Sequence, residues 1–379
     1  MVTVVRNTLP GEAYHSDETW AVDREQVFYR NWVYVGRAER VPRPGDWLRV
    51  EIADESILVV RGKDEQIRAF YNVCRHRGSR ICDDEQGSVR THLRCPYHAW
   101  GYALDGTLVT TPMVDREEID RPSTSLWPVH VDVWEGFVFV NLSREQPRPL
   151  LEHLADNQDE PLTMARFGLA DLRIAHVTVN EVRANWKIVI ENYNECLHCP
   201  TIHPELVAVV PAYKKGDIFE AGRSDGGVSL ADGRTAVAED ARLRLPLLPG
   251  FRGANGENDP NVYYGACVYP TMFLDVDGSS CLATAIFPTG PRSCRLVTEY
   301  LFSPEALADP DFDPAPIVEF NERVTRQDNE ACERVQRGVT SRAFDHGVFP
   351  ARDAWVHGFD QRYLRDVDPA SVETVPERA

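Results

Sequence analysis

The sequence predicts an α+β protein, with a small antiparallel β domain placed before a larger domain of antiparallel strands and amphipathic helices. Three observations carry this expectation. Residues 47–142 read as short strands interrupted by two loops that pair cysteine with histidine. Residues 173–302 hold further strand-like runs, and apolar stripes with helical spacing occur near 186–197 and 317–337. The 379 residues suffice for two or three domains. The Pro- and charge-rich stretch 144–156 supplies a boundary. The chain therefore divides into an N-terminal segment, 1–45, packing on the second domain; a β domain, 46–145; and a mixed domain, 146–379.

Taken in order, Ser16-Asp17-Glu18 caps a helix whose apolar positions are Val22, Val27, Phe28 and Trp32. Pro42-Arg43-Pro44-Gly45 ends that segment. The alternation of Trp47–Ile52, the apolar run Ile57–Val60 and the stretch Gln66–Val73 read as strands. Val131–Val133 and Phe137–Val140 close the block around Glu135-Gly136. Further strands are expected at Arg173–Val182, Val262–Tyr269, Cys281–Phe287 and Leu296–Phe302, with long loops over 205–260.

The first chemistry-bearing stretch runs from Cys74 to Trp100. It offers Cys74-x-His76 and, with eighteen residues between His76 and the next cysteine, Cys95-Pro96-Tyr97-His98. Two thiolates and two imidazoles suit a metal site. A zinc site of this composition usually has its cysteines together and its histidines together. Here each loop is mixed, which suits a binuclear 2Fe–2S cluster of the Rieske type, two cysteines on one iron and two histidines on the other. Structural zinc is the alternative. Gly78 and Pro96 let the loops turn tightly.

The second stretch runs from Asn185 to Pro204. Trp186, Val189, Ile190, Tyr193 and Leu197 form a helical apolar stripe, with Glu191, Glu195 and His198 on an adjacent one. His198 and His203 are five residues apart, too far round an ideal helix to meet. Pro200 between them allows a bend or a helix end that brings the rings together. Two histidines and a carboxylate form the facial triad of non-haem Fe(II) oxygenases. Asp328 can supply the carboxylate, because it lies on the apolar stripe Ile317, Phe320, Val324, Ala331, Val335 of a helix that Gly338 would stop.

The formal net charge of −18 argues against nucleic acid and anionic membranes as partners. Arg75, Arg77, Arg80, Arg90 and Arg94 are a local exception, and form a candidate docking rim for an acidic electron donor. No apolar run reaches membrane-spanning length, so a cytoplasmic protein is expected. Beyond Cys74 and Cys95, the seven other cysteines are expected to be core thiols. No Gly-rich dinucleotide fingerprint is present.

Both stretches resemble one family. Cys74-Arg75-His76-Arg77-Gly78, Cys95-Pro96-Tyr97-His98-x-Trp100 and their flanks closely resemble the Rieske cluster of oxygenase α subunits. Asn185-Trp186-Lys187, Glu191-Asn192 and Glu195-x-x-His198-x₄-His203 resemble the same family's iron segment. Gln327-Asp328 with Glu333-x-Val335-Gln336-x-Gly338 resembles the segment bearing its iron aspartate. The resemblance implies a Rieske β domain and a helix-grip catalytic domain around a curved antiparallel sheet. It implies one 2Fe–2S cluster on Cys74, His76, Cys95 and His98, and one mononuclear Fe(II) on His198, His203 and Asp328, in each subunit of a head-to-tail homotrimer. Glu195 would bridge its own His198 to His98 of the partner subunit and carry electrons across the interface. NAD(P)H would act through a separate flavin/Fe–S reductase or ferredoxin, and O₂ would be spent on a small-molecule substrate. Aspartate is the commoner residue at the position of Glu195. Glutamate there, with Cys196-x-His198-Cys199-Pro200 after it, is most similar to the branch acting on glycine betaine, stachydrine and carnitine, although Leu197 stands where that branch often has tyrosine. That branch implies N-methyl hydroxylation with release of formaldehyde. The alternatives are an oxygenase for an aromatic or other small organic acid and, more remotely, a non-enzymatic zinc or Fe–S protein.

Overall fold

The computed structural model describes residues 6–158, 160–218, 220, 226–240, 243–251 and 259–372. Two compact units result. One comprises residues 28–150, and the other the described residues before 28 and after 150.

The chain opens on a short strand, β1 (Arg6–Asn7), and helix α1 (Asp17–Val22). The Ser16 hydroxyl caps this helix by accepting from Thr19 N–H at 3.0 Å. Past Val22 the turns widen over Asp23–Phe28 and the helix stops, so Trp32 lies beyond the stripe expected for it. At the widening, Asp23 accepts from Lys187 Nζ (2.6 Å), Trp186 Nε1 (2.9 Å) and the Tyr363 hydroxyl (2.8 Å). A buried carboxylate needs such partners, and they pull this segment off a regular helix.

The 28–150 unit contains β2 (Val33–Arg37), β3 (Asp46–Ile52), β4 (Glu55–Arg61), β5 (Ile67–Tyr71) and β6 (Gln86–Ser88). After these come β7 (His92–Arg94), β8 (Gly101–Ala103), β9 (Leu108–Thr110), β10 (Pro128–Trp134) and β11 (Phe137–Asn141). Seven strands form an antiparallel sheet in the order β2-β11-β10-β5-β4-β3-β6, and β7-β8-β9 form a second. The apolar run Ile57–Val60 is buried because β4 lies between β3 and β5. Glu135 and Gly136, both at positive φ, make the two-residue hairpin between β10 and β11. Residues 28–45 lie in this unit and not with the N-terminal helix, because β2 pairs with β11 through Arg37↔Phe137 and Val33↔Val140.

The other unit continues through α2 (Leu150–Ala155), β12 (Arg173–Val182), α3 (Trp186–Tyr193), α4 (Cys199–Ile202) and α5 (Pro204–Val209). Then follow β13 (Val228–Ser229), β14 (Val262–Val268), β15 (Met272–Val276), β16 (Cys281–Gly290) and β17 (Ser293–Phe302). The unit ends with α6 (Pro304–Ala308), α7 (Ala315–Val339), β18 (Val348–Phe349) and α8 (Ala354–Val367). Its curved sheet has the order β12-β17-β16-β15-β14-β13, and β1 pairs with β18. Helices α3 and α7 pack on each other, and α7 also packs on β12.

Three local expectations need correction. Helix α3 stops at Tyr193, so Glu195, Leu197 and His198 are not on its stripe, and Leu197 is exposed. The Asn194 amide donates to the Ile190 carbonyl at the helix end (3.0 Å), and Pro200 sits in the first turn of the separate α4. Cys196 and Cys199, expected as core thiols, are joined by a disulfide. In α7, Val335 is exposed while Cys332, Gln336 and Val339 face inward. Gly338 lies within the last turn, which closes at Thr340.

Candidate metal centres

The two cysteine–histidine loops close in the same way. In the first, Gly78 N–H donates to the Cys74 carbonyl (3.0 Å) and Cys74 N–H to the Ser79 carbonyl (2.8 Å). In the second, Ala99 N–H donates to the Cys95 carbonyl (3.1 Å) and Cys95 N–H to the Trp100 carbonyl (2.9 Å). Gly78 and Ala99 both sit at positive φ, so Ala99 joins Pro96 in shaping the second turn. Asn72, fully buried, fixes the base of the first loop: its carbonyl accepts from Ile81 and Cys82 N–H, and its amide donates to Ser56 Oγ and the Cys82 carbonyl. The buried Tyr102 hydroxyl lies 3.2 Å from Cys74 Sγ and accepts from Arg75 N–H at 3.0 Å.

The four donors sort by type. Burial pushes the Cys74 thiol up, and the neighbouring Cys95 thiol adds to the rise. The His76 and His98 rings lie 4.6 Å apart by centroid, and His76 stacks on Trp100 at 4.6 Å. His98 Nδ1 is buried without a hydrogen-bond partner, as fits an atom that binds a metal. In tetrahedral zinc the donors would all lie within about 4 Å of one another. Among the described residues no three of these four meet even a 4.8 Å limit. Sulfur beside sulfur and imidazole beside imidazole fits the Rieske arrangement.

In the other unit, His198, His203 and Asp328 are the one such donor group among the described residues whose ligand atoms lie within 4.8 Å of one another. Asp328 Oδ1 lies 2.8 Å from His203 Nε2 and 3.3 Å from His198 Nε2. The end of α3, the disulfide and α4 turn the two rings together, with centroids 5.2 Å apart. Each ring is held by its other nitrogen. His198 Nδ1 donates to Glu195 Oε1 (2.5 Å), and His203 Nδ1 donates to Gln327 Oε1 (2.8 Å). Gln327 is fixed in turn by donating to Glu205 Oε1 at 2.7 Å. Such outer partners fix the orientation and basicity of a ligating histidine.

The charge state also suits a cation. Burial disfavours charge on His198, but hydrogen bonds to Asp328 and Glu195 outweigh it and raise the ring to about 9. Burial pushes Asp328 up, and its contacts with both histidines more than reverse this and hold it low. Hydrogen bonds to Asp328 and Gln327 raise the His203 ring as well, against its burial, and a divalent ion at the triad would compete with these ring protons.

A cavity of about 220 Å³ adjoins the triad. His198, His203, Asp328, Tyr193, Tyr213, Tyr263, Phe273 and Asp275 are among its lining residues. Sequence reasoning missed Gln327 and Glu205 as holders of His203, although they adjoin Asp328 and Pro204. It also missed Asp275, which lies on the unrecognised strand β15.

Comparisons with known proteins agree with this geometry. A family model described as the Rieske [2Fe-2S] domain matches residues 31–131, and one described as the ring hydroxylating alpha subunit (catalytic domain) matches 169–368. The chain is 30% identical to the glycine betaine monooxygenase oxygenase subunit of Chromohalobacter salexigens, over 90% of this chain and 82% of the relative. It is 29% identical to the carnitine monooxygenase oxygenase subunit of Acinetobacter pittii, over 89% and 86%. A solved structure of a quaternary ammonium Rieske monooxygenase, described as giving insight into carnitine oxidation and inter-subunit electron transfer, matches with a TM-score of 0.77 at 25% identity, covering 97% of this chain and 96% of that one. Donor sets, fold and relatives converge: the chain belongs to the Rieske-type ring-hydroxylating oxygenases, as an oxygenase α subunit.

Proposed function

We propose that this chain is the terminal oxygenase that hydroxylates, and so N-demethylates, a small quaternary ammonium compound of the glycine betaine, stachydrine or carnitine kind. The observation that carries this reading is the cavity beside the triad. Its described lining combines stacked and clustered aromatic side chains with carboxylates, and contains no lysine or arginine among the described residues. Aromatic faces and acidic groups suit an organic cation.

Cys74, Cys95, His76 and His98 would hold the cluster, and His198, His203 and Asp328 the iron. When bound, the cluster supplies single electrons and the iron supplies O₂ activation. The protein's own part is to orient His198 through Glu195 and His203 through Gln327, and to enclose the substrate. Glu195 further fits a role between subunits of a head-to-tail homotrimer, where its carboxylate would also accept from His98 of the partner subunit. A separate NAD(P)H-dependent reductase or ferredoxin in the cytoplasm completes the reading. Arg77, Arg90 and Arg94 stay exposed as a docking rim, whereas Arg75 is taken up by Trp127 and Ser125 and Arg80 by Glu51.

The test is a substrate panel on the purified protein with a surrogate reductase, read by O₂ uptake and formaldehyde. Coupled formaldehyde release from a quaternary ammonium compound is expected. Diol or phenol formation from aromatic acids, without formaldehyde, would overturn the reading.

A further inference from the structure

Asp275 differs from the other carboxylates of the cavity. Asp328 and Glu195 are engaged with His198, and Asp328 also with His203. Asp277 is satisfied by the chain around it: Oδ2 accepts from Val237 N–H, and Oδ1 from Ser279 N–H, Ser280 N–H and Ser280 Oγ, all at 2.7–2.9 Å. Asp275 uses one oxygen only. Its Oδ1 accepts from the Tyr193 hydroxyl at 2.6 Å and from the Tyr263 hydroxyl, while Oδ2 receives no donor among the described residues. No basic side chain pairs with it among the described residues. It is surrounded by protein, yet its carboxylate remains open to the cavity.

The neighbouring residues keep this oxygen cluster clear. Gly265 pairs with Asp275 across β14 and β15, and a Cβ there would come within 2.9 Å of the Tyr193 hydroxyl and 3.1 Å of the Tyr263 hydroxyl. Tyr193 stacks on Phe273 at 3.8 Å, and the Tyr213 hydroxyl adjoins that of Tyr263. Burial pushes the Asp275 carboxyl up to about 6, the two tyrosines pulling it partly back, so at neutral pH it is mostly ionised. A buried charge without a counterion is costly. A ligand that brings a positive charge but needs no hydrogen-bond acceptor removes that cost.

We propose that Asp275, positioned by Tyr193 and Tyr263, is the charge-recognition residue of the cavity, and that its free oxygen faces the cationic nitrogen of a methylated ammonium substrate. This rests on the function proposed above, and makes positive charge the criterion of selection, ahead of shape. The test uses pairs of equal shape: glycine betaine against 3,3-dimethylbutanoate, and choline against 3,3-dimethylbutan-1-ol. Binding to the anaerobic holoenzyme is measured by calorimetry, without turnover. The wild type is expected to favour the ammonium-bearing member of at least one pair by roughly tenfold or more. Asp275→Asn, which keeps an acceptor for both tyrosines, should abolish most of that preference while changing affinity for the neutral 3,3-dimethylbutan-1-ol little. Tyr263→Phe should retain it.

A folded Asp275→Asn variant with undiminished preference overturns the inference alone, leaving the demethylase reading intact. If the variant does not fold, the wild-type pairs decide, because equal or tighter binding of the member without the ammonium in both pairs overturns it. A wild type that binds no member of either pair and releases no formaldehyde overturns both readings.

Discussion

Replacing Gln327 with leucine tests whether the residues behind the triad set its metal affinity. The Gln327 carbonyl accepts from His203 Nδ1 at 2.8 Å, and its amide is tied to Glu205 at 2.7 Å. Leucine has similar bulk but no acceptor. Loss of an outer partner of a ligating histidine costs about 10- to 100-fold in metal affinity, which corresponds to about 1.4–2.7 kcal/mol. The upper part of that range is expected, because His203 is only 1% exposed and bulk water cannot replace the lost acceptor. A buried donor left unpaired costs about 1–3 kcal/mol by itself. Anaerobic Fe(II) titration against a competing chelator measures the affinity, with cluster absorbance as an internal control for folding. Glu205→Gln should have a smaller effect, since it touches only the amide of Gln327. Affinity within about twofold of wild type in Gln327→Leu, with the cluster intact, would refute the reasoning.

Three other outcomes are expected. Glu195→Gln retains an acceptor for His198, so both metals should stay bound while single-turnover oxidation of the cluster slows; normal turnover would sink the bridging role. Lys187→Met strands the buried Asp23 carboxylate and should destabilise the catalytic unit by about 3–5 kcal/mol in urea unfolding; a loss below about 1 kcal/mol contradicts this. Glu191 accepts from the Tyr14 hydroxyl at 2.8 Å, and burial pushes its carboxyl up from the usual 4.5 to about 7. Because the folded state holds this proton more tightly, the stability it contributes is complete below the unfolded value and is lost as pH rises through the folded one. Glu191→Gln should therefore gain on wild type between about pH 4.5 and 7 and hold that gain above; parallel stability curves would show the reasoning wrong.

The cluster loops were legible because their donors are close in sequence and each loop is closed by short-range hydrogen bonds. The approach of Asp328 to His198 and His203 was legible because a charge on an apolar helical stripe demands a partner. The helical reading of 186–198 failed for a tertiary reason: Asn194, the Cys196–Cys199 link and Pro200 end one helix and start another, and periodicity carries no sign of a cross-link. Trp32 was misplaced because the capture of Asp23 by Lys187, 164 residues away, outweighs local helical preference. Asp275 could not be read at all. Its importance comes from facing two tyrosines on other elements, and β15 is too short to announce itself against the loops before it.

The twin closure of the cluster loops bears on how the cofactor is acquired. Four backbone hydrogen bonds close the two loops, and the Asn72 side chain anchors the first. Ordering a residue costs about 1–2 kcal/mol, and these hydrogen bonds offset part of that cost without involving the cluster. Cluster insertion is then expected to need little of the coupled folding seen in small metal-dependent domains. Protein stripped of iron and sulfide under reducing conditions should keep its β scaffold, and its reconstitution should be limited by supply of the inorganic parts.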